Sequence, residues 1–218
     1  MVDWMIEVLG IFRQSTETIF RSIFFLDLYL KLEGKARAVQ DLHLLGVVAM
    51  FLASKLGEVR PLKMKTLLAD ICKGKFEREA VMTQEKRMLK VLGFKLNYTS
   101  ISEYSAGLFR VSGIPQAHLP SIEKYAILLQ KMFLYSSDIL TVFSFAQLAV
   151  YSSVISLKLF EHSKSGFSAQ KYVYHLLKVS GIPRGQMLEN LNFLRDYASS
   201  FRVNFPFNRL QPTNRPLV

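Results

Sequence analysis

The chain has 218 residues, half of them hydrophobic, and its 28 Lys and Arg residues against 17 Asp and Glu give a formal net charge of +11. This length accommodates one large domain or two smaller ones, and the composition is too apolar for intrinsic disorder. The one cysteine, Cys72, excludes an intrachain disulfide, which is typical of an intracellular protein of the nucleus or the cytoplasm.

No signal peptide or membrane-spanning segment is predicted. The apolar first residues include Asp3 and Glu7 where a signal peptide would be basic. The uncharged run 42–54 is too short to span a bilayer, and the apolar stretch 125–160 is interrupted by charged residues. Both are typical of buried helices in a soluble protein, so no membrane partner is expected.

The positive charge could face nucleic acid, an anionic membrane or an acidic protein patch. The basic residues are scattered, however, without a run of five or six, and they are densest in 60–75 and 86–95. This distribution is more typical of a solvated surface than of a dedicated basic patch.

Hydrophobic periodicity predicts five helices in the first half of the chain. Ser15 is an expected N-cap, and Gly34, Gly57 and Gly74 are expected helix ends. The third helix is apolar on almost every face between residues 42 and 53, so we expect it to be surrounded by the others. The predicted ranges are Met1–Arg13, Ser15–Gly34, Ala38–Leu56, Leu62–Ile71 and Glu79–Leu92.

The same pattern recurs after a polar joint at 97–102, again with a third helix that is apolar almost all round. The sequence therefore predicts an all-α fold of two tandem five-helix repeats, each around a buried third helix. The domains are expected at 1–97 and 98–203, followed by an extended tail at 204–218. The predicted helices are Ile101–Val111, Ser121–Ser136, Thr141–Phe160, Ser168–Lys178 and Arg184–Phe201.

Two charged residues interrupt apolar helix faces in the first repeat. Glu85 lies on the apolar stripe of the fifth helix, and Lys55 ends the most apolar helix of the first repeat, one turn after Phe51 and Leu52. The stripe consists of Val81, Met88, Leu89 and Leu92. A carboxylate on such a stripe is costly unless it is paired. An ion pair between the third and fifth helices would satisfy both side chains; the alternative is that each extends separately to solvent.

Five blocks of the first repeat, in order and at family spacing, resemble the cyclin box. The second repeat resembles the C-terminal cyclin fold only in its helix pattern. The overall resemblance is to mitotic A/B-type cyclins, with the family's N-terminal part lying upstream of Met1. The blocks are Val2–Val8, Leu26–Leu30, Leu45–Lys55, Glu58–Pro61 and Glu85–Leu96.

The resemblance implies a regulatory subunit, itself not an enzyme, that binds and activates a cyclin-dependent protein kinase in cell-cycle control. It implies that Lys55 and Glu85 form the kinase-binding pair. The apolar face that packs on the kinase's regulatory helix would consist of Leu52, Leu56, Leu89, Phe94 and Leu96. For Leu52 and Leu89, ordinary core packing is an equally good interpretation.

The resemblance also implies a groove in which kinase substrates or inhibitors dock. Trp4, Glu7, Leu42 and His43 stand at the matching positions. His43 departs from the family, which usually has glutamine there, and the family's groove motif begins upstream of Met1. Core packing of Trp4 is the alternative interpretation.

The sequence contains no phosphate-binding glycine loop, nucleophile elbow or converging pair of acids, so no catalytic residue is assigned. Its four histidines are far apart and accompany one cysteine, which predicts neither a metal site nor a cofactor.

Two other classes of function stay open. One is a nucleic-acid-binding protein with two cyclin-like repeats, similar to transcription factor IIB, which the +11 charge favours. The other is a helical-repeat adaptor that binds no kinase. Neither class needs Lys55 and Glu85 at this spacing, so nucleic acid is not the expected partner.

Overall fold

The computed structural model describes residues 1–34 and 38–204, without the side chains of residues 39, 40, 184 and 202–204. Throughout these residues the regular structure is helical, which confirms the predicted all-α class. The helices form two compact units, Met1–Tyr98 and a second that begins at Thr99. Of the predicted tail, all but residue 204 lies outside the described residues.

The first unit surrounds one helix with the others. Helix α3 packs against α1, α2, α5 and the turn after α4. Every residue from Leu45 to Ser54 is buried, as the apolar pattern predicts. The helices are α1 (Val2–Ile11), α2 (Thr16–Glu33), α3 (Val39–Gly57), α4 (Met64–Thr66), which continues as a π-helical turn over Leu67–Ile71, and α5 (Arg78–Val91).

The ends of α2 follow from local chemistry. The Ser15 hydroxyl accepts a hydrogen bond from the Thr18 amide at 3.2 Å and so caps the first turn. Gly34 ends the helix in the left-handed conformation, with φ of +62°, which glycine adopts without a steric penalty.

The second unit repeats this plan around α9, which packs against α6, α7, α10 and α11. The buried third long helix of each repeat is thus confirmed. The helices are α6 (Ile101–Ser112), α7 (Leu119–Phe133), α8 (Ser137–Val142), α9 (Phe145–Ser163), α10 (Gln170–Ser180) and α11 (Arg184–Asn204).

One predicted helix of the second unit begins later in the structure than the sequence pattern indicates. The range Thr141–Phe160 is divided, because the short helix α8 ends at Val142 and α9 begins at Phe145. The cause is a capping box: the Gln147 amide donates to the Ser144 hydroxyl at 3.3 Å, and the Ser144 amide donates to Gln147 Oε1 at 2.9 Å.

A polar contact joins three helices inside the second unit. Gln130 of α7 is fully buried, and its amide group donates to the hydroxyls of Ser105 (α6) and Ser152 (α9), both at 2.9 Å. Each serine also donates to a carbonyl of its own helix, so neither hydroxyl depends on Gln130 alone. This contact fixes the relative positions of α6, α7 and α9.

Across residues 1–34 and 38–204, none of the helices combines the length and the apolar character that crossing a membrane requires.

Candidate functional site

The structure brings Lys55 and Glu85 together. Lys55 lies in the last turn of α3 and Glu85 in the middle of α5, and the lysine Nζ forms an ion pair with Glu85 Oε1. The Glu85 side chain is 13% exposed and that of Lys55 is 38% exposed. The pair therefore satisfies the carboxylate on the apolar stripe and leaves the ammonium group partly open to solvent.

The Phe51 ring contacts the ammonium group of Lys55. The Lys55 ammonium lies 4.3 Å from the centre of the Phe51 ring, one helical turn earlier in α3, and Phe51 is 6% exposed. This cation–π contact orients the lysine toward α5. Sequence reasoning missed Phe51, although an aromatic residue four positions before a lysine on one helix face is a visible signal.

The five apolar residues predicted to contact the kinase differ in exposure. Leu56 and Phe94 are exposed, at 47% and 67%, and Leu89 and Leu96 are half-buried. Leu52 is 4% exposed, so its side chain belongs to the core of the unit and not to its surface. Among these five residues the exposed apolar surface thus comes from Leu56 and Phe94, with edges of Leu89 and Leu96.

Phe94 has an unusual backbone. It follows α5 directly after Gly93, and both residues have φ of +58°. Its amide donates to the carbonyl of Leu89 at 3.0 Å, which closes the turn. A bulky side chain in the left-handed region costs about 1 kcal/mol. A strained and exposed aromatic residue is more typical of a contact surface than of a packing position.

A second polar cluster ties α5 to α2. Glu33 accepts hydrogen bonds from Arg87 at 2.6 Å and from the Tyr29 hydroxyl at 3.0 Å, and Gln84 donates to the same hydroxyl at 3.2 Å. The Glu33 side chain is 6% exposed. This cluster holds the helix that carries Glu85. Tyr29 and Glu33 lie four residues apart on α2, and Gln84 and Arg87 lie three apart on α5, so only the contact between the two pairs depends on how the helices pack.

Glu58 ties the end of α3 to the start of α2. Its carboxylate accepts hydrogen bonds from the Ser15 amide at 2.7 Å and the Thr18 hydroxyl at 2.5 Å. Partial burial acts to raise the pKa of Glu58, but these hydrogen bonds and the nearby Arg21 charge outweigh it and hold the pKa below its usual value. The ionised carboxylate thus anchors the loop that follows Lys55 and Leu56.

The predicted docking residues Trp4 and His43 are in contact. Their ring centres lie 4.8 Å apart in an edge-to-face arrangement, and the His43 ring also contacts Phe76 at 5.3 Å. Lys75 Nζ is 3.3 Å from His43 Nδ1. Burial lowers the pKa of His43 and the Lys75 charge lowers it further, so the imidazole is neutral at neutral pH.

The other two predicted docking residues are placed differently. Glu7 is exposed one turn after Trp4 on α1, and Leu42 is half-buried beside His43 on α3. Gly46 lies beneath Trp4: a Cβ atom there would come within 3.5 Å of the indole ring and 2.9 Å of Met1 Sδ. The distance to the indole is an ordinary van der Waals contact, so the glycine makes room for the Met1 side chain and is not required by Trp4.

No group of three or more His, Cys, Asp or Glu side chains comes together to hold a metal ion among the residues that the structure describes. The features assembled in the first unit are those of a protein-binding surface: a shielded ion pair, exposed apolar side chains and polar ties behind them.

The chain is similar to known proteins, chiefly over its first unit. A family model for the cyclin N-terminal domain matches residues 1–97. The chain is 28% identical over 138 residues to cyclin-A2 of Xenopus laevis and 31% identical over 136 residues to G2/mitotic-specific cyclin-B3 of Drosophila melanogaster. The first alignment covers 63% of this chain and 32% of the relative, and the second covers 61% and 22%. The chain thus spans a third or less of these relatives' length.

The fold is shared more widely. The X-ray structure of a viral cyclin from herpesvirus saimiri matches with a TM-score of 0.77 at 19% identity, over 91% of this chain and 82% of the viral one. At this identity the match shows the fold alone. The match of residues 1–97 to the cyclin N-terminal domain and the two mitotic relatives are consistent with a member of the cyclin family.

Proposed function

We propose that the chain is a regulatory subunit that binds and activates a cyclin-dependent protein kinase in cell-cycle control. The observation that carries the proposal is the Lys55–Glu85 ion pair in a unit that also exposes Leu56 and Phe94. The mitotic relatives support the cell-cycle assignment. In this proposal the chain acts inside the cell, in the nucleus or the cytoplasm, and the kinase supplies all catalysis.

The proposed contact uses the ion pair as a polar anchor within an apolar surface. Lys55 keeps donor capacity beyond its bond to Glu85 and can donate to backbone carbonyls of the kinase. Leu56 and Phe94 supply exposed apolar area, while Leu89 and Leu96 form its half-buried edge. Covering this surface removes the apolar groups from water and shields the charged pair, as at the centre of strong interfaces.

The proposed activation is a shift of population. A protein kinase requires an ion pair between its β3 lysine and a glutamate of its αC helix, and a partner that binds the inward position of αC favours the active state. Moving a strongly disfavoured helix to near-full occupancy requires about 5 kcal/mol of differential binding. A few anchors like those above can provide this free energy.

The surface around Trp4 and His43 is proposed as a separate docking place for kinase substrates or inhibitors. The rings of Trp4, His43 and Phe76 form an aromatic cluster near the starts of α1 and α3. Exposed Glu7 supplies a negative charge one turn from Trp4. A short peptide with apolar and basic residues would match this combination.

The test is a binding titration by calorimetry. The full chain is titrated into a monomeric cyclin-dependent kinase and, separately, into a DNA duplex at several salt concentrations. We expect a complex with the kinase that Glu85→Gln weakens. The control Glu161→Gln, in the exposed pair Lys158–Glu161 of the second unit, should bind as the wild type does. Salt-sensitive DNA binding without kinase binding would contradict the proposal and favour a nucleic-acid-binding protein.

A further inference from the structure

The second unit contains a surface groove that the proposed kinase contact does not use. It lies between α6, α9 and the end of α10 and has a volume of about 370 Å³. Tyr104, Gly107 and Val111 line it from α6, Val150 forms its floor on α9, and Val179 lies at the end of α10. Most of the lining side chains are apolar.

The walls of this groove expose apolar side chains to water. Tyr104 is 43% exposed, Val111 56% and Val179 52%, whereas Val150 in the floor is 5% exposed. Apolar side chains exposed on both sides of one concavity favour an apolar occupant, because covering them all at once removes the most apolar surface from water.

Gly107 keeps the groove open. It lies inside α6, where glycine destabilises a helix relative to alanine. Packing does not require it, because a Cβ atom at this position would meet nothing within 4 Å. The missing side chain instead leaves room above the helix, where the backbone of an extended peptide could approach.

Two exposed basic residues directly precede lining residues of the groove in sequence, and we call them its basic rim. Arg110 and Lys178 are exposed beside Val111 and Val179. Gln147 lines the groove at the positive end of α9, and its Oε1 is already used by the capping box, which leaves its amide N–H groups as donors. The nearby acid, Glu103, accepts the Ser100 amide at 2.7 Å within another capping box.

We propose that this groove binds a short apolar segment, flanked by acidic residues, of a partner protein. The basic rim disfavours the chain's own C-terminal segment, since residues 205–218 include Arg209 and Arg215 and no acidic residue. The proposal does not depend on the kinase surface, which lies in the first unit.

The test selects peptides from a display library of random sequences about twelve residues long, with the full chain as the target. Selection is repeated on Gly107→Leu, which fills the groove, and on the control Gly10→Leu, a change in the first unit at a helical glycine that also has nothing within 4 Å. Leucine favours the helix more than glycine does, so Gly107→Leu should unfold at the wild-type temperature or above it.

We expect enriched peptides with an apolar centre and acidic flanks. As labelled synthetic peptides they should bind wild type and Gly10→Leu alike, and Gly107→Leu about ten-fold more weakly or worse. Added salt should weaken the binding. The proposal is overturned if no peptide depends on Gly107, if the enriched flanks are basic, or if a synthetic 205–218 peptide binds more tightly than the selected ones.

Discussion

Lys55 and Glu85 form an ion pair whose two side chains are unequally exposed: the glutamate side chain is 13% exposed and the lysine side chain 38%. The pair links α3 to α5, and Phe51 lies 4.3 Å below the ammonium group. Such an arrangement holds a cation in a defined position at the edge of an apolar surface. Its contribution to folding is modest, since the lysine is partly solvated, which favours the proposed role in recognition.

Replacing Lys55 should therefore affect binding more than folding. Lys55→Met keeps the apolar stem and removes the charge. We expect the free energy of unfolding to fall by about 1 kcal/mol, because Glu85 loses its partner. Kinase affinity should fall by about 2 kcal/mol or more, which is about thirty-fold in Kd. Urea denaturation and calorimetry measure the two effects. Lys158→Met, which breaks an exposed pair in the second unit, should leave both nearly unchanged.

The left-handed backbone of Phe94 allows a substitution that should weaken kinase binding without lowering stability. Asparagine tolerates the left-handed conformation, so Phe94→Asn should leave the free energy of unfolding within about 1 kcal/mol of wild type or raise it. Loss of the exposed ring should weaken kinase binding by about ten-fold or more. The control is Lys73→Asn, because Lys73 has a similar left-handed backbone, with φ of +52°, and is not part of the proposed kinase-binding surface. Wild-type kinase affinity in Phe94→Asn would show that the ring is not part of the contact.

Glu58 predicts a dependence of stability on pH. Its pKa is lower in the folded chain than in the unfolded one, so its contribution is fully present above its unfolded pKa of about 4.3 and is lost as pH falls through the folded value. Glu58→Gln should lower the free energy of unfolding by about 1 kcal/mol at neutral pH. The difference from wild type should shrink on acidification below about pH 4. Urea denaturation across this pH range measures the difference in the free energy of unfolding, and Glu77→Gln, at an exposed position, is the control. A difference between wild type and Glu58→Gln that does not change with pH would contradict the role of the ionised carboxylate.

The buried contact at Gln130 predicts opposite outcomes for two substitutions. Its Oε1 is buried and has no hydrogen-bond partner among the described residues. Gln130→Met keeps the volume, removes that unpaired atom and leaves Ser105 and Ser152 bonded to carbonyls, so stability should stay within about 1 kcal/mol or rise. Gln130→Ala should cost about 2 kcal/mol through the cavity it leaves. Thermal unfolding followed by circular dichroism distinguishes them, and equal losses in both would refute the interpretation.

Helices were predictable from the sequence where their signals are local. Ser15 and Gly34 mark the ends of α2, and the apolar faces of α3 and α9 mark the centres of the repeats. The division between α8 and α9 was missed because the apolar pattern runs across it, although Ser144 and Gln147 stand at capping-box spacing. The π-helical turn at Leu67–Ile71 has no such signal, since it depends on packing against α3.

The candidate site was predictable where a charged residue interrupts an apolar helix face. Glu85 on an apolar stripe and Lys55 at the end of an apolar helix indicated either an ion pair or two side chains that extend separately to solvent, and the structure contains the pair. The left-handed backbone of Phe94 could not be inferred, because a phenylalanine after glycine carries no sign of it. For Leu52, the resemblance to the cyclin box implied a contact with the kinase and the apolar pattern allowed ordinary core packing. Its 4% exposure places its side chain in the core.

The most direct test of the central claim is kinase activation by a charge-swapped chain. The double variant Lys55→Glu with Glu85→Lys can re-form the ion pair between α3 and α5 and so keep the fold, but it reverses the charges presented to a partner. Phosphorylation of a histone peptide by a monomeric cyclin-dependent kinase is measured as each chain is added. We predict activation by the wild type and almost none by the swapped chain at an unchanged unfolding temperature. No activation by the folded wild type, or equal activation by both chains, would contradict the account.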